Sequence, residues 1–124
     1  MLDAENILRK AIFDTLKTKY TTFEDVPDDA SLPYVVIGQS SKIDDSTKTT
    51  SRMRVSLNLH VFSDYQGFHE VAEIVDDIIE MFDKTRLESE DKEIWIFIDE
   101  AEITDEPPHK HAIIRLKTYI HEGG

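Results

Sequence analysis

Five histidines and a surplus of carboxylates are the first side chains in this sequence to weigh for metal or acid–base chemistry. His109 and His111 stand two apart behind Asp105 and Glu106. On an extended segment such residues face the same side, where two imidazoles could share a metal ion. No third ligand stands at a recognisable spacing, and polar residues flanking the Pro107-Pro108 turn are the plainer reading. His60, Asp64 and His69, with Ser63 among them, straddle a strand-to-helix junction, a place where enzymes often set a nucleophile or an acid–base pair. No G-x-S-x-G elbow surrounds Ser63, and a helix-capping role accounts for it. Asp44-Asp45-Ser46-Thr47 lacks the spacing of a calcium loop. Gly38, Gly67, Gly123 and Gly124 form no phosphate cradle. With no cysteine in the chain, disulfides, thiolate metal sites and a cysteine nucleophile are excluded together. No catalytic residue, cofactor or metal is predicted.

One cluster fits contact better than chemistry. Lys42, Lys48, Arg52 and Arg54 form the only basic group in the chain, interleaved with Ile43, Asp44 and Asp45. These seven residues are the candidate interface, able to meet an acidic partner surface. A solvated surface is the bland alternative.

The balance around that cluster is acidic: 26 Asp and Glu against 14 Lys and Arg give a formal charge of −12. Such a surface repels nucleic acid phosphates and anionic membranes alike. The longest apolar run, Ile94–Ile98, is five residues, where a membrane span needs about twenty. Met1-Leu2 is followed at once by Asp3 and Glu5, which is not the start of a signal peptide. These readings point to a chain made and assembled in a cytoplasm. Its 124 residues, 40% of them apolar, suit one domain, residues 1–124, with one modest core.

The elements that position these residues follow from hydrophobic spacing. Ala4, Leu8, Ile12, Leu16 and Tyr20 recur every fourth residue and predict a helix from Asp3, its N-cap, to about Tyr20. Thr21–Leu32 reads as a loop with at most a short edge strand around Phe23–Val26. Tyr34–Gly38 is a β-branched run suited to a buried strand. Gln39–Ser51, with Ile43 as its one large apolar residue, reads as a long loop, mobile until it meets a partner. Met53, Val55, Leu57, Leu59 and Val61 alternate with polar residues over a long strand, Arg52–Phe62. It should pair with Tyr34–Gly38 as a hairpin.

Ser63 to Gln66 has the spacing of a capping box. Behind it Val71, Ile74, Val75, Ile78, Ile79 and Phe82 make the apolar stripe of a helix over about Gln66–Lys84. Glu93–Ile103 and Ala112–Ile120 read as two more strands, the first apolar on both faces through Trp95 and Phe97. Asp105-Glu106-Pro107-Pro108 is a loop expected to end the ladder. The predicted class is α+β, in the order α-β-β-α-β-β: an antiparallel sheet of about four strands with two helices packed on one face.

In order and spacing these pieces resemble the tail completion, or tail-to-head joining, proteins of long-tailed non-contractile bacteriophages and prophages. The resemblance covers about residues 7–120. It rests on the leading helix Glu5–Leu16, on Val26-Pro27-Asp28-Asp29 running into Leu32-Pro33-Tyr34-Val35-Val36-Ile37-Gly38, and on Leu59-His60-Val61-Phe62-Ser63 before a helix. It implies a structural assembly protein and not an enzyme, with no catalytic motif to carry over. It implies a homo-oligomeric ring, a hexamer by the habit of the family, at the head-proximal end of the tail tube. The partners implied are other copies of the chain, the tail tube protein and the head connector or head completion protein. DNA would pass through the ring without specific binding, and no membrane is involved. The location implied is the head–tail junction of the virion, after assembly in the bacterial host cytoplasm. An acidic surface suits such a passage, and the acids Glu73, Asp76, Asp77 and Glu80 of the second helix could line it.

Two rivals stand beside this reading. A small acidic inhibitor that mimics DNA explains the charge equally well and should be monomeric or dimeric. A metal-dependent hydrolase built on His109 and His111 should take up metal stoichiometrically.

Overall fold

Residues 4–122 are described by the computed structural model of the chain. The expected N-cap, Asp3, lies outside them. Helix α1 spans Ala4–Leu16 and buries Ile7, Leu8, Ile12 and Leu16. It stops a turn short of the predicted end: the amides of Lys19 and Tyr20 both donate to the Leu16 carbonyl, at 3.0 and 2.8 Å. Tyr20 then turns to the second helix, where its hydroxyl donates to the Asp77 carboxylate. Lys19 reaches the same carboxylate at 2.7 Å.

Six strands follow, and the sheet departs from the expected one. Strands β1 (Thr22–Phe23), β2 (Tyr34–Asp44) and β3 (Arg52–Ser63) precede helix α2 (His69–Phe82); β4 (Thr85–Ser89), β5 (Lys92–Glu106) and β6 (His109–Glu122) come after it. Across the sheet the order is β1-β2-β3-β6-β5-β4. β1 runs parallel to β2 and every other pair is antiparallel. The architecture is a six-stranded mixed sheet curved into a half-barrel with two helices, in the order α-β-β-β-α-β-β-β. It is not the four-stranded antiparallel sheet that the alternation predicts.

Each difference has a local cause. β1 is two residues long and is held mainly by backbone, the Val35 amide donating to the Thr21 carbonyl at 2.9 Å. β4 precedes a two-residue turn, Glu90-Asp91, whose φ angles of 53° and 61° are left-handed. That is the type I′ geometry of a tight hairpin, which ordinarily announces itself with Asn-Gly. β2 runs on into the stretch expected as a loop, because a bulge between Ile37 and Ser40 shifts its register. Before the bulge Val35 and Ile37 face the core; beyond it Ser40, Lys42 and Asp44 take those positions, so the strand no longer shows an apolar alternation. Between β5 and β6 the ladder does not stop at Asp105. It continues through Asp105–Lys110 to Glu106–His109, and Pro107-Pro108 alone make the turn. Neither proline needs a donor there.

The core lies between the helices and one face of the sheet. Val55, Leu57, Leu59 and Val61 of β3 register with Thr118, Leu116, Ile114 and Ala112 of β6, and all are buried. α2 covers this centre with Val71, Ile74, Val75, Ile78 and Phe82. The capping box does not form. α2 starts at His69, behind Phe68, which makes no side-chain cap. Ser63, fully buried, instead accepts the Tyr65 amide at 3.1 Å and donates to Glu70 at 2.6 Å, tying the junction to the first turn of the helix.

The Glu90-Asp91 turn generates a test. A left-handed conformation costs an L-residue roughly 1–2 kcal/mol, while glycine takes it freely at some entropic cost. Asp91→Gly should therefore stabilise the protein by about 0.5–1 kcal/mol, read as a higher midpoint in urea denaturation.

Candidate interaction surface

Beyond the bulge, β2 continues along β3, which stays paired with β6 on its other side, and this outer corner of the sheet with its turn forms an arm. Ser40, Ser41, Lys42, Ile43 and Asp44 pair with Leu57, Ser56, Val55, Arg54 and Met53. The turn at its end is ordered by its own hydroxyls. Ser46 Oγ accepts the Arg52 amide at 3.0 Å, and Thr47 Oγ1 accepts the Thr50 amide at 3.0 Å. The Asp44 carboxylate accepts the Ser46 amide at 2.9 Å, and the Ser46 hydroxyl, then this amide, hold its carboxyl below the usual range.

The arm sorts the seven candidate residues by face. Lys42 and Asp44 point to the helix side, where Lys42 comes within 3.8 Å of Glu5 on α1. Ile43, Arg52 and Arg54 point to the side without helices, and Ile43 is 55% exposed. Arg52 pairs with Asp45 and lays its guanidinium over the Tyr119 ring, 4.8 Å from the centroid. Lys48 sits exposed in the turn, apart from the rest. So the structure brings six of the seven into one arm but splits them between its faces.

The helix-free face carries residues that sequence spacing passed over. A shallow depression of about 190 Å³ crosses four strands and is lined by Ser41, Ile43, Arg54, Ser56, Asp99 and Lys117. Asp99 enters it because a second bulge, between Ile98 and Glu100, breaks the alternation of β5. Lys117 was legible: it lies on the polar phase of β6 with Arg115 and Tyr119.

At the other end of this face stand the histidines. His60 Nδ1 and His111 Nε2 are 2.8 Å apart, a hydrogen bond between rings, and Phe62 stacks on His111 with centroids 4.4 Å apart. Glu106 comes within 3.0 Å of His111 Nδ1 but off the N–H direction, so it approaches as a charge and not as an acceptor. His111 thus pairs with His60 on the neighbouring strand. Among the described residues no three His, Asp or Glu side chains converge as metal ligands. His69 lies on α2 beside Glu73 at 3.1 Å, and Asp64 is exposed, so the junction residues do not assemble with His60.

The sequence matches the family described as Tail completion protein gp17 over residues 10–121. The chain belongs to that family. Its role is structural, in completing the phage tail and joining it to the head. Among curated proteins none matches the sequence. The fold is similar to a chain in a solved structure titled "Virion of native gene transfer agent (GTA) particle". The TM-score is 0.84 at 14% identity, over 98% of this chain and 99% of that one, a likeness of fold. For a tail completion protein the surfaces that matter are those that meet other proteins, and the helix-free face is one that neither α1 nor α2 covers.

Two outcomes test the packing beneath this face. A Cβ on Gly38 would lie 2.7 Å from the His60 ring and 3.0 Å from the Asn58 carbonyl oxygen. Gly38→Ala should accordingly cost about 1–3 kcal/mol of stability, measured by urea denaturation. Burial, then the neighbouring His111 and Arg115, push the His60 imidazole below its ordinary value of 6.5, with Glu106 opposing. The unfolded chain then takes up a proton near that value while the folded one does not. The stability carried by the neutral His60 imidazole is present above pH 6.5 and is lost as pH falls below it. The urea midpoint should drop between about pH 7 and about pH 5, and His60→Gln should flatten that slope.

Proposed function

We propose that this tail completion protein assembles as a homo-oligomeric ring at the head-proximal end of the tail tube and connects the tube to the head. It acts there without catalysis, as a component of the virion. The observation that carries the reading is the family match across residues 10–121. The likeness in fold to a chain from a phage-like particle agrees with it. The arm formed by β2 and β3, with Lys42, Ile43, Asp44, Asp45, Lys48, Arg52 and Arg54, is the surface proposed to meet neighbouring copies, the tube or the connector. The turn at its end is ordered by hydrogen bonds of its own, so removal of residues 42–50 should leave the core folded.

The test is to delete residues 42–50 from the gene in its source phage or prophage and to image the particles. The purified variant should keep the wild-type circular dichroism. Negative-stain micrographs should show DNA-filled heads beside unattached tails. Intact, infectious particles from the deletion strain would sink the arm's role. The same result from deletion of the whole gene would sink the joining role and favour the acidic inhibitor.

A further inference from the structure

Neither side of the sheet is closed along its whole length. On the β2 side, β1 pairs with Val35 and Val36, and the Arg9 guanidinium takes the carbonyls of Gly38 and Ile37 at 2.7 and 3.2 Å. From Gln39 to Asp44 no strand among the described residues lies on that side. On the β5 side, β4 pairs with Lys92–Ile96, and the Ile98 amide donates to the Asp83 carboxylate at 2.9 Å. From Asp99 to Glu106 no strand lies there either. Each is an open edge of six to eight residues, and open edges pair with whatever backbone reaches them.

We propose that these two edges pair with each other between copies. Gln39–Asp44 of one subunit lies antiparallel against Asp99–Glu106 of the next, so that the sheets join into one closed barrel around the ring. The inference rests on the ring assembly proposed above and assigns its contact.

Three independent features of the chain support it. The first is charge. The β5 edge, Asp99–Glu106, holds Asp99, Glu100, Glu102, Asp105 and Glu106 and no base, its charge partly met by Arg115 and Lys110 of β6, whereas the β2 edge, Gln39–Asp44, holds one base, Lys42, and one acid, Asp44. Pairing β5 with β5 would set acids against acids, so the head-to-tail contact is favoured over the two-fold one. The second is direction. β2, β3, β6 and β5 alternate in sense, so β2 and β5 run opposite ways. Copies related by rotation about a ring axis therefore present them antiparallel.

The third is height. Lys42, in the middle of one edge, is level with Thr118 through Val55, and Glu102, in the middle of the other, is level with Ile113, an offset of five residues along β6. That is ~17 Å along the strands against ~19 Å for four strand widths. Strands tilted ~40° from the ring axis bring the two edges to one height, and closed barrels tilt by 35–45°. The helix-free face, which carries the depression, is the one placed toward the lumen. Closure turns that side inward and both helices outward, which takes the acids of α2 away from the lumen.

The chain has no cysteine, so two can be placed cleanly. Ser41 and Glu102 are exposed, lie on opposite edges and face the helix-free side. Tails are purified from phage carrying S41C, E102C or both, and are treated with a flexible bismaleimide that tolerates a slip in register. The doubly substituted protein should run as a ladder of covalent multimers ending at the ring number, and each single variant as monomer. Tails that contain the double variant by immunoblot but yield only monomer would overturn the edge contact. Dimers from a single variant would also overturn it, by showing like edges paired. Tails that contain none of the protein, wild type included, would overturn the ring assembly on which the contact rests.

Discussion

A strand whose hydrogen bonds have no partner must be stopped by something, and in this fold the stop on β2 is one guanidinium. Arg9 projects from α1 into the carbonyls of Ile37 and Gly38, at the residues where β1 has ended and the bulge begins. Its remaining reach goes to Glu24 at 3.3 Å, so the same side chain pins the segment that leads out of β1. Charged hydrogen bonds of this kind are each worth about 1.5–3 kcal/mol, more than a neutral pair. The placement of α1 over the sheet, the end of β1 and the point where β2 leaves the core all meet at this contact. Asp83 does the corresponding work on the far side, closing the last turn before β4 and holding the Ile98 amide where β5 bulges.

The two bulges share one consequence. Shifting register by a residue exchanges the faces of a strand. In β2 the exchange hands the core positions to Ser40, Lys42 and Asp44, so that this part of the strand meets α1 through polar contacts with Glu5 and not through apolar packing. In β5 it carries Asp99 onto the helix-free face and leaves Ile103 37% exposed beyond the cover of α2. Both strands therefore consist of an inner half fixed by apolar packing and an outer half held by its ladder and by polar contacts, such as Lys42 with Glu5 and Arg115 with Glu100.

That division explains what could be read from the residues. The stripe of α2 and the alternation of β3 and β6 are consequences of burial, and Ile78, Leu59 and Ile114 sit in the core as their spacing requires. Structure held by backbone alone leaves no such trace. β1 is a two-residue bridge, the outer half of β2 looks like a polar loop, and β4 ends in Glu90-Asp91, a turn whose geometry its residues do not advertise. Ser63 misled because a serine before a helix usually caps it, whereas here Glu70 reaches back and takes its hydroxyl. The candidate residues from Lys42 to Arg54 were found by charge and do gather in one arm. Their division between its faces was illegible, since it depends on the bulge. The pairing of His60 with His111 links residues 51 apart in sequence, and only the strand order brings them together.

The order β3-β6 at the centre of the sheet also governs how the chain can be made. A ribosome emits α1, β1, β2 and β3 first, with the apolar face of β3 complete and one long edge open. The strand that fills that edge, His109–Glu122, is the last to emerge among the described residues. Contacts this distant in sequence form slowly, because the intervening loop must close before they give anything back. Through most of its synthesis the nascent chain therefore exposes a sticky, half-built sheet, and the interval before β6 arrives is when it is most in need of a chaperone's shelter.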